Sequence, residues 1–177
     1  MRVLGIDPGL AIVGYGLIEQ LKSPKDPKGY RLIEAGVIRT PAGASDPARL
    51  TMIYEELSHL IVEYQPEAMA VERLFFNQNV TTAMQVSQAR GVILLAGHNL
   101  PITSYTPLEV KRQICGYGRA GKHQVQAMIQ RLLKLKALPK PDDAADALAV
   151  ALCHLLRTKG QYNGQSLASS RRHTKRA

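Results

Sequence analysis

Apolar residues in this chain fall first into short extended runs and then, after residue 45, into longer stripes at helical spacing. Val3, Leu4 and Ile6 form a buried-strand run that Pro8 and Gly9 stop. Residues 11–19, with Val13, Tyr15 and Leu17 among glycines, suit a strand paired with residues 2–7, and 22–29 read as a Pro/Lys/Gly loop. Tyr30, Leu32 and the run 35–38 resume extended character, so three successive strands are expected as an antiparallel meander. Asp46 as N-cap and Pro47 in the first turn open a helix, with Leu50, Ile53, Tyr54, Leu57, Leu60, Ile61 and Tyr64 on its apolar stripe and Pro66 ending it. Residues 68–71 are an apolar run finishing in Glu72. A helix over 77–99 rich in small residues, a fifth strand over 101–105 and a short helix over 107–115 follow. A glycine-rich basic loop over 116–121, a helix over 124–135 and a last helix from Asp142 complete the chain. The fold class predicted is α/β, a five-stranded mixed sheet flanked by helices.

Composition narrows this picture. With 177 residues and 45% apolar content the chain can bury one core and is short for two. We expect one domain over 1–158 and a basic, disordered tail over 159–177. No apolar run reaches the ~18 residues of a spanning helix, and the N-terminus lacks the order of a signal peptide. A soluble, cytoplasmic protein is expected. Cys115 and Cys153 have none of the spacings of a zinc site and read as buried thiols. The net charge is +9, of which residues 157–177 carry 6 and the body 3. Such a balance suits a polyanion partner, because phosphate neutralisation supplies sequence-independent affinity.

The acidic residues then change the picture again. Asp7 stands at the end of the first strand, where α/β folds place chemistry, although it could equally cap the Pro-Gly turn. Glu72 ends the fourth strand in the same way. Asp143 and Asp146 lie three apart on one face of the last helix. Asp142 has an ordinary helix-start explanation, which is weaker for Asp146 on its apolar helix. Carboxylates gathered at one edge stay ionised together only beside cations, and oxygen-only ligands indicate Mg²⁺ or Mn²⁺. Two such ions about 4 Å apart can activate water and stabilise a leaving oxygen in phosphodiester displacement.

Several motifs recur together: Gly5-Ile6-Asp7-Pro8-Gly9 with Gly14-Tyr15-Gly16, Val71-Glu72 with Phe75, Gln88-Ala89-Arg90-Gly91-Val92, Lys111, Lys122 with Gln124-Val125-Gln126, and Asp143 through Ala149. With these the chain resembles the RuvC family of bacterial Holliday-junction resolvases, in the ribonuclease H-like superfamily, over all but its tail. The resemblance implies Asp7, Glu72, Asp143 and Asp146 as catalytic ligands of two Mg²⁺ ions, with Mn²⁺ as a substitute. Some relatives carry His where Asp143 stands. It further implies a homodimer making symmetric nicks in four-way junctions during recombination and repair, leaving 5′-phosphate and 3′-hydroxyl ends, with the RuvA-RuvB branch-migration complex as partner. Lys111, Lys122 and the 116–121 loop match positions expected to meet DNA, Arg73 and Arg119 extend that basic surface, and Phe75 is assigned to stacking at the junction centre. Ala89 and Gly91, small residues in the 77–99 helix, are the expected dimer contacts. Two other readings compete: a non-catalytic junction-binding scaffold, and an actin-like ATP-binding fragment, for whose second half this chain has no room.

Overall fold

In the computed structural model the described residues are 1–21, 29–73 and 80–170, with side chains described from 83 in the second helix and up to 158 in the last. The elements are β1 (Arg2–Asp7), β2 (Ile12–Gln20), β3 (Tyr30–Arg39), α1 (Asp46–Tyr64), β4 (Ala68–Glu72), α2 (Val80–Ala96), β5 (Ile102–Tyr105), α3 (Pro107–Cys115), α4 (Lys122–Leu133) and α5 (Asp142–Ser170). Strand order is β3-β2-β1-β4-β5. The first three strands form the antiparallel meander, and β4 and β5 join β1 in parallel, so the sheet is mixed as expected.

Alternation of side chains along the strands divides the interior into two cores. Leu4, Ile6, Val13, Leu17, Met69 and Val71 face Ile53 and Leu57 of α1 and Ala89 and Ile93 of α2. Val3, Ile18, Ala68 and Ala70 face the other way, onto α5, with α3 and α4 packed around it. The α5 stripe from Ala144 to Leu155 is almost entirely buried, because its alanines let the helix lie directly on the sheet. Glycines on the strands complete that fit. A Cβ on Gly5 would stand 2.1 Å from the Ala147 carbonyl oxygen, and one on Gly14 would stand 2.0 Å from that of Asp143. Helix and sheet backbones therefore touch where β1 and β2 run under the start of α5.

The helix ends show where local chemistry decided the boundaries. α1 is capped by Ser45 rather than Asp46, since the Ser45 carbonyl already accepts from the Arg49 N–H at 3.0 Å. Gln65, in the left-handed region, closes that helix ahead of Pro66. α3 starts on a reciprocal cap between Thr106 and Glu109, with Pro107 in the first turn. α4 begins two residues earlier than its apolar pattern indicates, because Gln124 reaches back to the Gly121 N–H at 2.8 Å and draws Lys122 into the first turn. α5 continues past residue 158 to Ser170.

Candidate active site

β1 and β4 are parallel neighbours in register, Ile6 beside Val71, so their last residues, Asp7 and Glu72, leave the sheet side by side. Their carboxyls share a hydrogen bond. Asp7 is also the ladder partner of Gly14 in β2, and the backbone of Asp143 lies directly on Gly14. The missing side chain at position 14 is thus what brings the first turns of α5, with Asp143 and Asp146, over the end of β1.

Electrostatics record the crowding. Burial, then the charges of Glu72 and Asp146, its hydrogen bond to Glu72, and Asp143 push Asp7 from 3.8 up to about 8. Burial also raises Glu72, joined by the charge of Asp146 and opposed by the hydrogen bond from Asp7 and the nearby Lys111 charge. Asp146 is raised by burial as well, opposed by Lys122. The Lys122 ammonium stands 3.2 Å from Asp146 and 3.2 Å from Asp142. Burial works against its charge, yet hydrogen bonds to both carboxylates hold it above its usual range. Asp142, in the first turn of α5, is exposed and also accepts a hydrogen bond from Gln126 at 3.0 Å.

Of these groups Glu72, Lys122 and Asp146 line a groove of about 240 Å³, together with Lys111 and the apolar Val110, Val125 and Ala149. Lys111 enters it from α3. Arg119 is exposed in the loop before α4, and Arg73 is exposed beyond Glu72, its N–H donating to the Tyr105 carbonyl at 2.7 Å. Phe75 lies outside the described residues. The two expected dimer residues separate: Ala89 is 0% exposed in this chain's own core, whereas Gly91 is exposed with open space around it. Ala89 is therefore unavailable to a partner.

Two arrangements escaped the sequence. The Lys122 bridge depends on two helices meeting. Tyr105, at the end of β5, shares a hydrogen bond of 2.9 Å with the buried His154 of α5, and Arg157 covers its ring at 5.4 Å while donating to Glu109 at 2.9 Å. This ties α5 to the strand beside Glu72, and residues 49 apart in sequence carry no local signal of it.

A sheet of order β3-β2-β1-β4-β5, with acids at the ends of β1 and β4 and on a helix crossing them, defines the ribonuclease H-like class. Within it, the family described as crossover junction endodeoxyribonuclease RuvC matches residues 3–154, and this chain belongs to that family. A curated relative of that description from Halothermothrix orenii is 54% identical over 156 residues, 87% of this chain and 92% of its own length. The RuvC structure of Thermus thermophilus superposes with a TM-score of 0.84 at 32% identity, covering 91% of this chain and 97% of its own. A second structure, Thermus thermophilus RuvC in complex with Holliday junction substrate, superposes with a TM-score of 0.81 at 30% identity over 90% of this chain and 96% of its own.

The donor set fits hard divalent cations. All four carboxylates offer oxygen, and burial together with the neighbouring carboxylates raises Asp7 well above the usual carboxylate range. Among the described residues no three such side chains converge on one point. Asp146 is held by Lys122 and Asp7 by Glu72.

Proposed function

We propose that this chain resolves four-way DNA junctions by divalent-ion-dependent hydrolysis, with Asp7, Glu72, Asp143 and Asp146 as the ion's ligands. The observation carrying this reading is the gathering of four carboxylates at one sheet edge beside Lys111 and Lys122, in a family member of net charge +9. Mg²⁺ suits the oxygen donors, with Mn²⁺ as a substitute. Two such ions, when bound, would supply an activated water and stabilise the leaving oxygen of a phosphodiester, giving 5′-phosphate and 3′-hydroxyl ends.

The chain's own residues prepare that chemistry. Asp7 would hold an ion as the carboxylate, its proton passing to solvent water. Lys122 releases Asp146 and turns its ammonium to the DNA strand, where Lys111, Arg119 and Arg73 offer further phosphate contacts. Tyr105 and His154 hold the β5 end and α5 together, so that Glu72 and the α5 aspartates keep their spacing. Phe75 is assigned by family resemblance to stacking on an unpaired base.

Symmetric nicking of opposed strands requires two sites, and the outer face of α2 suits a homodimer contact. Met84 and Leu95 are 62% and 59% exposed there, and with Gln88 and Gly91 they form one stripe at spacings of four, three and four residues. The RuvA-RuvB complex is the partner that family membership suggests, in the cytoplasm, and the basic residues 159–177 are an electrostatic aid to binding. Cleavage of a synthetic four-way junction, compared with a linear duplex of the same sequence with and without Mg²⁺, tests the reading. Paired nicks confined to the junction and to Mg²⁺ are expected, and junction binding without any cleavage would favour a scaffold instead.

A further inference from the structure

On the sheet face opposite α5, at the same edge as Asp7, a second cavity of about 300 Å³ opens. Gly9 to Ile12 of the β1–β2 turn, Arg49 of α1 and Gln85 of α2 line it. Arg49 is only 9% exposed, unusual for an arginine unless it is fully paired. Its Nε donates to the Thr40 hydroxyl at 2.8 Å, and that hydroxyl donates to the Leu10 carbonyl at 2.6 Å, so the guanidinium is fixed in orientation. Beyond that it has a long ion pair with Asp46. Asp46, itself 44% exposed, stands 3.9 Å from a terminal nitrogen, beyond hydrogen-bond range. Among the described residues the terminal nitrogens have no hydrogen-bond acceptor, and the first turns of α1 are the end of a helix where a cation is disfavoured.

We infer that Arg49 binds a backbone phosphate of the DNA strand at this cavity, on the α1/α2 side of the edge, across from Lys111 and Lys122. This rests on the junction reading above. A held guanidinium presents two parallel N–H groups, the geometry that matches phosphate oxygens. Gly9 is two residues beyond Asp7, at most about 7 Å of chain. With a rise of about 3.4 Å per nucleotide along one strand, a phosphate about two nucleotides from the one at the carboxylates comes within reach. A strand crossing the edge would then be gripped from both faces of the sheet, lysines on one side and Arg49 on the other.

Junction binding by the full chain in Ca²⁺, titrated with salt, tests this in wild type, Arg49→Gln and Arg49→Lys. Each phosphate contact adds about 0.9 to the salt slope, so between 50 and 200 mM salt wild type should lose about 3.5-fold more affinity than Arg49→Gln. Arg49→Lys should keep the slope with reduced affinity. A second arm alters the DNA instead of the salt: single methylphosphonates are placed along the cut strand of the junction. One neutral linkage near the cut should weaken wild type and leave Arg49→Gln unaffected. Equal slopes for wild type and Arg49→Gln, or equal responses to every methylphosphonate, would overturn the inference and leave Arg49 a packing residue. Lys111→Gln, on the opposite face, separates the failures. If it too leaves the slope unchanged, the junction reading falls, and if it alone lowers the slope, the Arg49 site falls.

Discussion

Adding one methyl group at Gly14 should disable the site without touching any carboxylate. The new Cβ would lie 2.0 Å from the Asp143 carbonyl oxygen and 3.2 Å from the Asp143 Cβ. Ordinary contact begins near 3.4 Å, so the start of α5 must retreat from 2.0 Å to that distance, by about 1.4 Å. Gly14 is not in a left-handed conformation, and the cost comes from contact alone. Overpacking of this kind costs about 1–3 kcal/mol of stability. Misplacement of a catalytic group by about 1 Å costs ~10²-fold in rate. Gly14→Ala should therefore lower kcat for junction nicking about 100-fold. KM should change little, because Lys111 and Arg119 stand away from the contact. Gly43→Ala is the control: nothing lies within 4 Å of its Cβ, and its backbone is not left-handed. Turnover there should match wild type, with stability raised by up to about 1 kcal/mol. Single-turnover nicking and thermal melting read both variants. A Gly14→Ala protein with wild-type kcat and wild-type melting temperature would show that close backbone approach does not position the aspartates.

Without metal, stability should fall as pH rises. Asp7 is raised from 3.8 to about 8, so the folded state holds a proton that the unfolded chain releases, and its stabilisation is complete below pH 4 and lost as pH climbs to 8. At about 1.4 kcal/mol per unit the ceiling is about 6 kcal/mol by pH 8. Chemical denaturation of wild type and Asp7→Asn in EDTA checks this: the variant should be the more stable at pH 8 and lack the steep decline, and parallel curves would contradict the burial of charge at this edge. Leu95→Glu, on the exposed stripe of α2, should shift sedimentation toward monomer and turn paired cuts into rare single nicks, while a dimer that still cuts in pairs would move the interface elsewhere. Deleting residues 161–177 should weaken junction binding and flatten its salt dependence without lowering turnover at saturation, and a loss of turnover would make the tail part of the site.

The elements were legible in the chain wherever a local pattern carried them. Asp7 and Glu72 ending apolar runs, and Asp143 and Asp146 three apart on an alanine-rich helix, place the acids at one edge before any coordinates are known. What local pattern could not show arises between elements. Gly5 and Gly14 read as strand glycines, yet their use is the approach of α5. The early start of α4 depends on one glutamine side chain, and that start is what lets Lys122 reach Asp146. Ala89 looked suited to a partner because small residues permit close approach, and the same property lets it pack into its own core. Arg49, polar and in a helix, gave no sign of burial; Thr40, from the end of β3, creates its setting.

The most direct test of the central claim is junction cleavage by Asp146→Asn, measured beside its binding. Gel shifts in Ca²⁺ and single-turnover nicking in Mg²⁺ should be run on the same four-way junction with wild type and variant. Asp146 is close to Asp7, and its charge helps hold that carboxyl protonated. Removing it takes away a ligand oxygen and lowers the negative charge facing the phosphates. The account predicts binding equal to or tighter than wild type and loss of nicking; cleavage by Asp146→Asn at a near wild-type rate would remove the α5 aspartate from the ligand set and contradict the site described here.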